Sequence, residues 1–358
     1  MNPFKFGTIV KDEFFTDRIQ ELEVVKQLLD SENHLVLISP RRFGKSSLIA
    51  KALQQVGRPS ITIDFMKVLS TEDLAVQILK GIFNLYKMEK LKHFLAHFRI
   101  APNISYNPMT ESWDVSFMPL MEKAPIALED AMDLLQKVTT PKERLIVVFD
   151  EFQEVNEISP TLSKQLRAII QRQEKLNYVF MGSQESMMNE IFEKKKSPFY
   201  HFGQRMNLKK IPYADFFSYI VSRLPNIETE RKEKIADKIL QFTNVHPYYS
   251  QQLAAAVYNI LKYEFSAEDV VNKAIIQQVD EHDLDYERLW IGLKRTDRRI
   301  LTMLARKQNP LTDRSIPTST AFSAMKRMLA QGYVIKTTEY EMEDPFFGIW
   351  ILRDKNHA

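Results

Sequence analysis

The sequence predicts an α/β protein in which a parallel β-sheet is followed by a helical segment and a smaller C-terminal module. Short apolar runs alternate with helical patterns through the first part of the chain, which is typical of a parallel sheet with crossover helices. Residues 211–279 show a helical pattern only. The end of the chain combines two helical patterns, at 298–305 and 319–330, with two strand-like runs, at 333–337 and 346–352.

Five runs are predicted as the strands of the sheet, the first four because they are short, apolar and bounded by turn or helical patterns, and the fifth although it is short and polar. They lie at 35–38, 61–65, 145–149, 178–181 and 205–208. The first helix, within residues 12–30, would be capped by Thr16 or Asp17. Residues 71–98 predict one long helix, and residues 99–124, which contain several prolines, predict an irregular connection.

Composition restricts the classes of function. The 358 residues include no cysteine, which excludes disulfides, cysteine–zinc sites and thiol catalysis, and fits a reducing cytoplasm. The net charge of +3 is low for a protein that wraps nucleic acid. No apolar run reaches the roughly 20 residues that cross a bilayer, and the N-terminus lacks the charged-then-apolar order of a signal peptide. We therefore expect a cytoplasmic protein without membrane contact.

The strongest functional signal is the turn SPRRFGKSS between an apolar run and a helical pattern. Backbone N–H groups of such a turn can cradle phosphate oxygens at the helix N-terminus, and Gly44 lets the backbone approach them. Lys45 would contact the β- and γ-phosphates, Ser46 would bind magnesium and Ser47 would reach the α-phosphate. The usual phosphate-loop pattern begins with glycine, where this chain has Ser39. The residues predicted to line the phosphates are Ser39, Pro40, Arg41, Arg42, Phe43, Gly44, Lys45, Ser46 and Ser47.

A second signal is the segment LIVVFDE, in which two carboxylates end an apolar run. Magnesium bound to ATP needs an acidic partner at the edge of the sheet, and Asp150 fits that role. Hydrolysis needs a base for the attacking water, and Glu151 fits that role. Alone, the pair would be read as a solvated acidic turn. Together with the phosphate loop, it predicts the metal and catalytic side of an ATP site.

Several segments resemble the archaeal-type AAA ATPases of the STAND/MNS group, which are P-loop NTPases of initiator-ATPase-like architecture. The resemblance rests on PRRFGKSSL, LIVVFDEFQEV, YVFMGSQESMMNEIF, the N-terminal FFTDRIQEL and the C-terminal DPFFGIWI, and it covers about residues 3–352. It implies an AAA-like sheet with strand order 5-1-4-3-2. The domains would be an ATPase core at 1–210, an all-α lid at 211–284 and a winged helix at 285–358.

The resemblance also implies roles for residues outside the loop. Ser183 and Gln184 would sense the γ-phosphate or the attacking water, or else cap a turn. Arg205 would act as an arginine finger or switch, in its own chain or in a neighbouring one, or else form a surface ion pair. His246 would replace the usual sensor arginine of the lid, or else pack within it. The residues implied to lie near adenine or at the meeting of lid and nucleotide are Thr8, Ile9, Val10, Phe15, Arg18, His246 and Pro247.

The function expected from these signals is ATP binding and Mg²⁺-dependent hydrolysis that drives a conformational switch. Two alternatives stay open: a regulatory module that holds ATP or ADP with little turnover, and a DNA-binding, initiator-like or transcription-regulating protein. The predicted wing, IKTTEYEMED, is acidic and would repel DNA phosphates, so a protein partner is favoured over DNA. The oligomeric state is left open.

Overall fold

The chain folds into two compact units. The computed structural model describes residues 2–10, 14–15, 18–118, 123–140, 143–264, 269–312 and 316–354. The sheet unit comprises Ile19–Pro40 and Lys45–Leu208, and the helical unit comprises Met1–Arg18, Arg41–Gly44 and Lys209–Ala358. The two residues predicted to cap the first helix, Thr16 and Asp17, lie outside the described residues.

The sheet unit alternates strands and helices, as the apolar periodicity predicts. Its strands are β1 (Leu35–Ile38), β2 (Ser60–Asp64), β3 (Asn103–Asn107), β4 (Ser112–Ser116), β5 (Leu145–Asp150), β6 (Leu176–Gly182) and β7 (Gln204–Asn207). Its helices are α1 (Ile19–Asp30), α2 (Lys45–Val56), α3 (Thr71–Leu85), α4 (Met88–Leu95), α5 (Ala124–Val138), α6 (Val155–Ile158), α7 (Leu162–Ile170) and α8 (Glu185–Phe192). A 3-10 helix, Phe152–Glu154, follows β5.

Five of these strands form one parallel sheet in the order β2-β5-β6-β1-β7, which confirms the predicted parallel five-stranded sheet. The order differs from the expected 5-1-4-3-2 in its numbering, because the prediction did not include the β3–β4 hairpin. If β3 and β4 are left out and the remaining strands are renumbered in chain order, each strand of the sheet has the neighbours that the prediction gave it. The carboxyl ends of β1, β5 and β6 therefore meet at one edge of the sheet.

The segment between β2 and β5 differs from its prediction. The long helix expected over 71–98 is interrupted at Tyr86, whose extended backbone ends α3 before α4 begins. The irregular connection expected over 99–124 instead contains the antiparallel hairpin of β3 and β4, in which Tyr106 lies opposite Trp113. Their rings lie 5.0 Å apart. Such cross-strand aromatic pairs stabilise a hairpin whose residues are otherwise mostly polar.

The core of the sheet unit lies around β5 and β6. The five apolar residues of β5, from Leu145 to Phe149, are fully buried, and burial of each such side chain contributes about 1.5–3 kcal/mol. Phe149 and Phe152 stack at 5.8 Å, and both rings contact Phe180 of β6. This packing fixes the backbone on both sides of the acidic pair that ends β5.

The helical unit is built from helices and one small hairpin. Its helices are α9 (Tyr213–Arg223), α10 (Thr229–Phe242), α11 (Pro247–Tyr263), α12 (Val270–Glu281), α13 (Asp283–Gly292), α14 (Arg295–Ala305), α15 (Thr318–Gln331) and α16 (Pro345–Asp354). Its strands are β8 (Val334–Lys336) and β9 (Tyr340–Met342), which pair antiparallel. Gly332, at φ 78°, ends α15 in the left-handed conformation that glycine adopts without strain.

The strand predicted at 346–352 is wrong, because these residues belong to α16. Asp344 precedes this helix, and its Oδ1 accepts hydrogen bonds from the backbone N–H groups of Phe346 and Phe347 at 2.8 and 3.2 Å. Pro345 occupies the first helical position, where its missing N–H has no cost. The hairpin partner of β8 is β9. The winged-helix and lid boundaries stay predictions, and none of the described helices is long and apolar enough to cross a bilayer.

Candidate active site

Ser39, the first residue of the predicted phosphate loop, follows β1 directly. It is only 3% exposed, and its N–H donates to the carbonyl of Gly182 at 3.3 Å. Ser39 is not among the described residues with a positive φ. A serine is therefore compatible with this backbone, although the usual pattern has glycine.

Lys45 and Ser46 begin α2. Lys45 is 5% exposed, and its Nζ donates to the carbonyls of Ser39 and Pro40 at 3.1 and 3.3 Å. Ser46 donates from Oγ to Oδ2 of Asp150 at 3.4 Å. An ammonium group at a helix N-terminus, beside backbone N–H groups, attracts an anion such as phosphate. Ser47 lies in the same first turn of α2.

The middle of the loop, Arg41–Gly44, groups with the helical unit. Arg42 and Gly44 have positive φ values of 63° and 91°. A side chain at position 44 would begin in open space, so crowding does not require glycine there. The positive φ is what favours glycine at this position. Alternating torsions of this kind turn successive N–H groups toward one concave face, which binds anions.

Asp150 and Glu151 turn sharply at the end of β5. Glu151 has a left-handed backbone, at φ 51° and ψ 44°, and its N–H donates to Oδ1 of Asp150 at 3.0 Å. Left-handed residues other than glycine are uncommon and concentrate at functional sites. Burial, and then the neighbouring Glu151 carboxylate, raise the pKa of Asp150, while Lys45 opposes the shift. A cation beside Asp150 would favour its charged form.

Glu151 is held by one carboxylate oxygen. Its Oε2 accepts hydrogen bonds from Ser183 Oγ at 2.7 Å, from the Ser183 N–H at 3.2 Å and from Gln153 Nε2 at 2.6 Å. Ser183 follows β6, so the predicted sensor position contacts the predicted base. Gln184 occupies the position before α8, where its side chain makes no capping hydrogen bond.

Ser46 and Asp150 fit a magnesium ion by their chemistry. Magnesium prefers oxygen ligands and usually keeps water and substrate phosphates in its shell. The Ser46 hydroxyl and the Asp150 carboxylate supply two such oxygens within 3.4 Å of each other. Among the described residues, no cluster of three or more acidic, histidine or cysteine side chains could hold a metal alone.

Arg205 lies in β7 and pairs with acidic residues. It contacts Glu193, lies 3.5 Å from Glu185 and donates from Nε to Asn207 Oδ1 at 3.0 Å. These contacts agree with the ion-pair reading of Arg205. The finger or switch role stays a prediction.

In the helical unit, Arg42 joins a polar cluster with Tyr249 and Glu343. Arg42 Nη1 donates to the Tyr249 hydroxyl at 2.5 Å and lies 3.4 Å from Glu343 Oε1. The Tyr249 hydroxyl in turn donates to Glu343 Oε2 at 2.7 Å. The Arg42 guanidinium also lies 4.7 Å from the ring centre of Tyr248. The cluster therefore connects the loop arginine to α11 and to the segment before α16.

His246 is packed among aromatic rings. It is 2% exposed, and its ring lies 5.0 Å from Phe43 and 4.7 Å from Tyr249. Neither ring nitrogen has a hydrogen-bond partner within the described part of the chain. Burial, and then the charges of Lys210 and Arg42, lower its pKa to about 3. A neutral ring cannot supply the positive charge of a sensor arginine, so these contacts favour the packing role. Pro247 is buried in the first turn of α11.

The N-terminal residues expected near adenine also belong to the helical unit. Thr8 and Ile9 are exposed, whereas Val10 and Phe15 are half-buried. Arg18 is buried and donates to the carbonyls of Lys209 and Phe43, at 2.8 and 3.1 Å. Arg18 thus holds the backbone of the loop through the carbonyl of Phe43. Contact between the N-terminal segment and adenine stays a prediction.

Three residues in these clusters were not singled out from the sequence. Gln153 lies within the DEFQ run and Tyr249 within HPYY, so a motif already marked both neighbourhoods. Glu343 lies just before the DPFFGIWI segment. It belongs to the acidic run EYEMED, so nothing in the sequence distinguishes it from its acidic neighbours, and its partner Arg42 is 301 positions away.

A parallel sheet with a phosphate loop after β1 and an acidic pair after β5 defines the class of P-loop nucleotide-binding proteins. Residues 15–253 match the family of ATPase domains found predominantly in Archaea, and the chain belongs to that family. The predicted relation to archaeal-type AAA ATPases is thereby confirmed. Family membership supports a nucleotide-binding ATPase. No curated protein matches the chain at a significant level.

Solved structures share the fold over nearly the whole chain. The Walker-type ATPase PABY2304 of Pyrococcus abyssi superimposes with a TM-score of 0.66 at 16% identity, covering 98% of this chain and 99% of that one. The ORC2 protein of Aeropyrum pernix, solved in ADPNP–ADP complexes, gives 0.51 at 14% identity, covering 99% and 98%. The ORC1 protein of Aeropyrum pernix, solved with DNA, gives 0.53 at 10% identity, covering 95% and 93%.

Proposed function

We propose that the chain binds ATP with Mg²⁺ and hydrolyses the bond between the β- and γ-phosphates. The observation that carries the proposal is the meeting of Lys45, Ser46, Asp150, Glu151 and Ser183 in the sheet unit. These residues follow β1, end β5 and follow β6. Parallel sheets bind their ligands at this carboxyl edge.

Three residues of the group, Lys45, Ser46 and Asp150, have distinct tasks in nucleotide binding. The ammonium group of Lys45 binds the β- and γ-phosphate oxygens, and the loop N–H groups bind the remaining oxygens. Ser46 and Asp150 would hold the magnesium ion, which when bound offsets the negative charge of the phosphates. A cation bound there would favour the charged form of Asp150 and so oppose the rise in its pKa that burial and the Glu151 carboxylate cause.

The hydrolytic step needs a base and a fixed water. The oxygen of a water forms a bond to the γ-phosphorus while the bond to the bridging oxygen breaks. The bridging oxygen keeps the electron pair and leaves with ADP, and Glu151 accepts one proton of the attacking water. Ser183 holds the Glu151 carboxylate from the neighbouring strand.

We further propose that nucleotide binding drives a conformational switch through Arg42. This arginine lies in the phosphate loop, two positions before Gly44, yet it is bound to Tyr249 and Glu343. A γ-phosphate on the loop would compete with Glu343 for the same guanidinium. Release of that contact would free α11 and the segment before α16, which belong to the proposed lid at 211–284 and winged helix at 285–358.

A protein partner for the C-terminal module is favoured over DNA. The helix expected to read DNA is α15, whose basic residues are Lys326 and Arg327. Arg327 donates from Nε to the buried carboxylate of Asp297 at 3.1 Å, and its Nη2 contacts the same carboxylate. An arginine held by a buried carboxylate is poorly placed to bind DNA phosphates.

The proposed activity is tested by measuring phosphate release from ATP by the purified full chain. We expect turnover with Mg²⁺, loss of turnover when EDTA removes the metal, and recovery when Mg²⁺ is restored. ATP binding without phosphate release would support the holding-module alternative, and absence of ATP binding would overturn the proposal. Duplex DNA added at low salt is expected to leave the rate unchanged, because Arg327 is held by Asp297 and Lys326 is the one other basic residue of α15.

Glu343→Gln is expected to tighten ATP binding relative to ADP by about fivefold, the lower end of ordinary allosteric coupling. The change removes the negative charge that competes for Arg42, while the amide keeps the shape of the side chain. Affinities are measured by titration calorimetry. Glu341→Gln is the matched control, because Glu341 lies in the same hairpin region and contacts Lys210 and Asn244 instead of Arg42. Equal effects of the two substitutions would contradict the switch.

A further inference from the structure

We infer that Gln153 is a positioning residue that orients Glu151 for proton transfer, an inference that rests on the hydrolysis proposed above. Gln153 lies in the 3-10 helix after β5, two residues beyond Glu151. Its side-chain amide donates to Glu151 Oε2 at 2.6 Å and lies 3.4 Å from Glu154 Oε1. Gln153 therefore contacts the base directly.

The two carboxylate oxygens of Glu151 differ in their hydrogen bonding, because all three donors bind Oε2. Ser183 and Gln153 both donate to Oε2, and each of the hydrogen bonds described for this carboxylate side chain ends on that oxygen. One oxygen is therefore anchored, and the other is available to accept a proton from water. A base anchored in this way has one orientation instead of several rotamers.

The surroundings of Gln153 indicate that its amide group serves Glu151. The side chain is completely buried, and its Oε1 has no hydrogen-bond partner among the described residues. A buried carbonyl oxygen without a donor is unfavourable, and an apolar residue of the same length would avoid that cost. The benefit that offsets the cost is the hydrogen bond from Nε2 to Glu151.

Gly182 supports the same arrangement from β6. A side chain at this position would begin 2.8 Å from Gln153 Oε1 and 2.4 Å from Met188. Glycine at 182 therefore leaves room for the Gln153 amide next to the backbone that leads to Ser183. The strand end and the 3-10 helix together set the position of the Glu151 carboxylate.

The test is Gln153→Met, which keeps the length of the side chain and removes the donor. We expect kcat for ATP hydrolysis to fall about 100-fold, the usual effect of a small misplacement of a reacting group. The dissociation constant for ATP should stay within about twofold, because Gln153 is not a ligand of the nucleotide. When ATP is added and the bound nucleotide is identified by chromatography, we expect ATP on the Gln153→Met variant and ADP on the wild-type chain.

Two further variants separate positioning from a general structural role. Gln173→Met is the matched control, because Gln173 is also buried in the sheet unit but contacts Met132 and Tyr178. It should lower thermal stability without lowering kcat. In the double variant, adding Gln153→Met to Glu151→Gln should cause little further loss of kcat. The effects of two residues that act through one group do not add. Gln153→Glu, which keeps the shape and reverses the hydrogen-bonding role, gives a second variant if the methionine variant does not fold.

The outcomes distinguish the inference from the proposed function. If the wild-type chain hydrolyses ATP and Glu151→Gln does not, but both Gln153 variants turn over at the wild-type rate, the positioning role is overturned and the function stands. A fully additive loss in the double variant would also overturn it. If the wild-type chain releases no phosphate, or Glu151→Gln leaves the rate unchanged, the proposed function itself fails.

Discussion

Glu151→Gln is expected to lower kcat for ATP hydrolysis by about 10²- to 10⁴-fold, the usual contribution of a general base. The amide keeps the size of the side chain and can still contact Ser183, but it cannot accept the proton of the attacking water. ATP affinity should change by less than about twofold, because Glu151 does not bind the phosphates in the proposed arrangement. Phosphate release and ATP binding are measured on the same preparation.

Glu157→Gln is the control for this first prediction. Glu157 is an exposed carboxylate in α6, a few residues beyond the 3-10 helix, and its loss changes the net charge by the same amount. Its kcat should match that of the wild-type chain. An unchanged rate in Glu151→Gln would exclude Glu151 as the base, whereas an equal loss in both variants would indicate a nonspecific effect of charge.

Lys45→Met is expected to weaken ATP binding by about 10²-fold, since hydrogen bonds to charged groups contribute about 1.5–3 kcal/mol each. Methionine preserves most of the apolar stem and removes only the ammonium group. In the structure that group lies between the carbonyls of Ser39 and Pro40 and at the start of α2. Binding is measured by titration calorimetry with ATP and Mg²⁺.

Lys164→Met, in α7, is the control for the second prediction. Lys164 is exposed, so its substitution removes one positive charge from the same unit without affecting the loop. Its ATP affinity should equal that of the wild-type chain. If Lys45→Met bound ATP with wild-type affinity, the loop would not be the phosphate site.

The sheet and the loop could be predicted because their signals are local. β1, residues 145–149 of β5 and residues 178–181 of β6 are apolar runs, and the residues that follow them include the polar ones that carry the proposed chemistry. Lys45 and Asp150 are 105 positions apart in sequence, but the rule that parallel strands present their carboxyl ends at one edge brings them together.

Two elements were mispredicted for reasons that the side chains explain. The run 346–352 is rich in aromatic and branched residues and so looks like a strand, but Asp344 and Pro345 before it form a helix N-terminus. The hairpin of β3 and β4 consists largely of exposed polar residues. Apolar residues alternate with polar ones in both strands, but each strand is only five residues long and the segment contains several prolines, which favoured an irregular connection.

The polar cluster around Arg42 could not be predicted, because it depends on long-range packing. Arg42, Tyr249 and Glu343 come from distant parts of the chain, and no spacing rule connects them. The lowered pKa of His246 likewise results first from its burial, and its ring lies next to Phe43 and Tyr249. The HPYY motif indicates that His246 matters, but the choice between packing and a sensor role depends on contacts that the sequence does not contain, and the sensor role stays a prediction.

Ser39 has a consequence for how relatives of this chain are recognised. The backbone at this position does not have the positive φ that glycine alone accommodates easily, so serine fits without strain. At Gly44, by contrast, the torsion of 91° does restrict the residue type. A search pattern that demands glycine at both ends of the loop would therefore reject chains that can form the same turn, while one that fixes only the second glycine, the lysine and the hydroxyl residue would retain them.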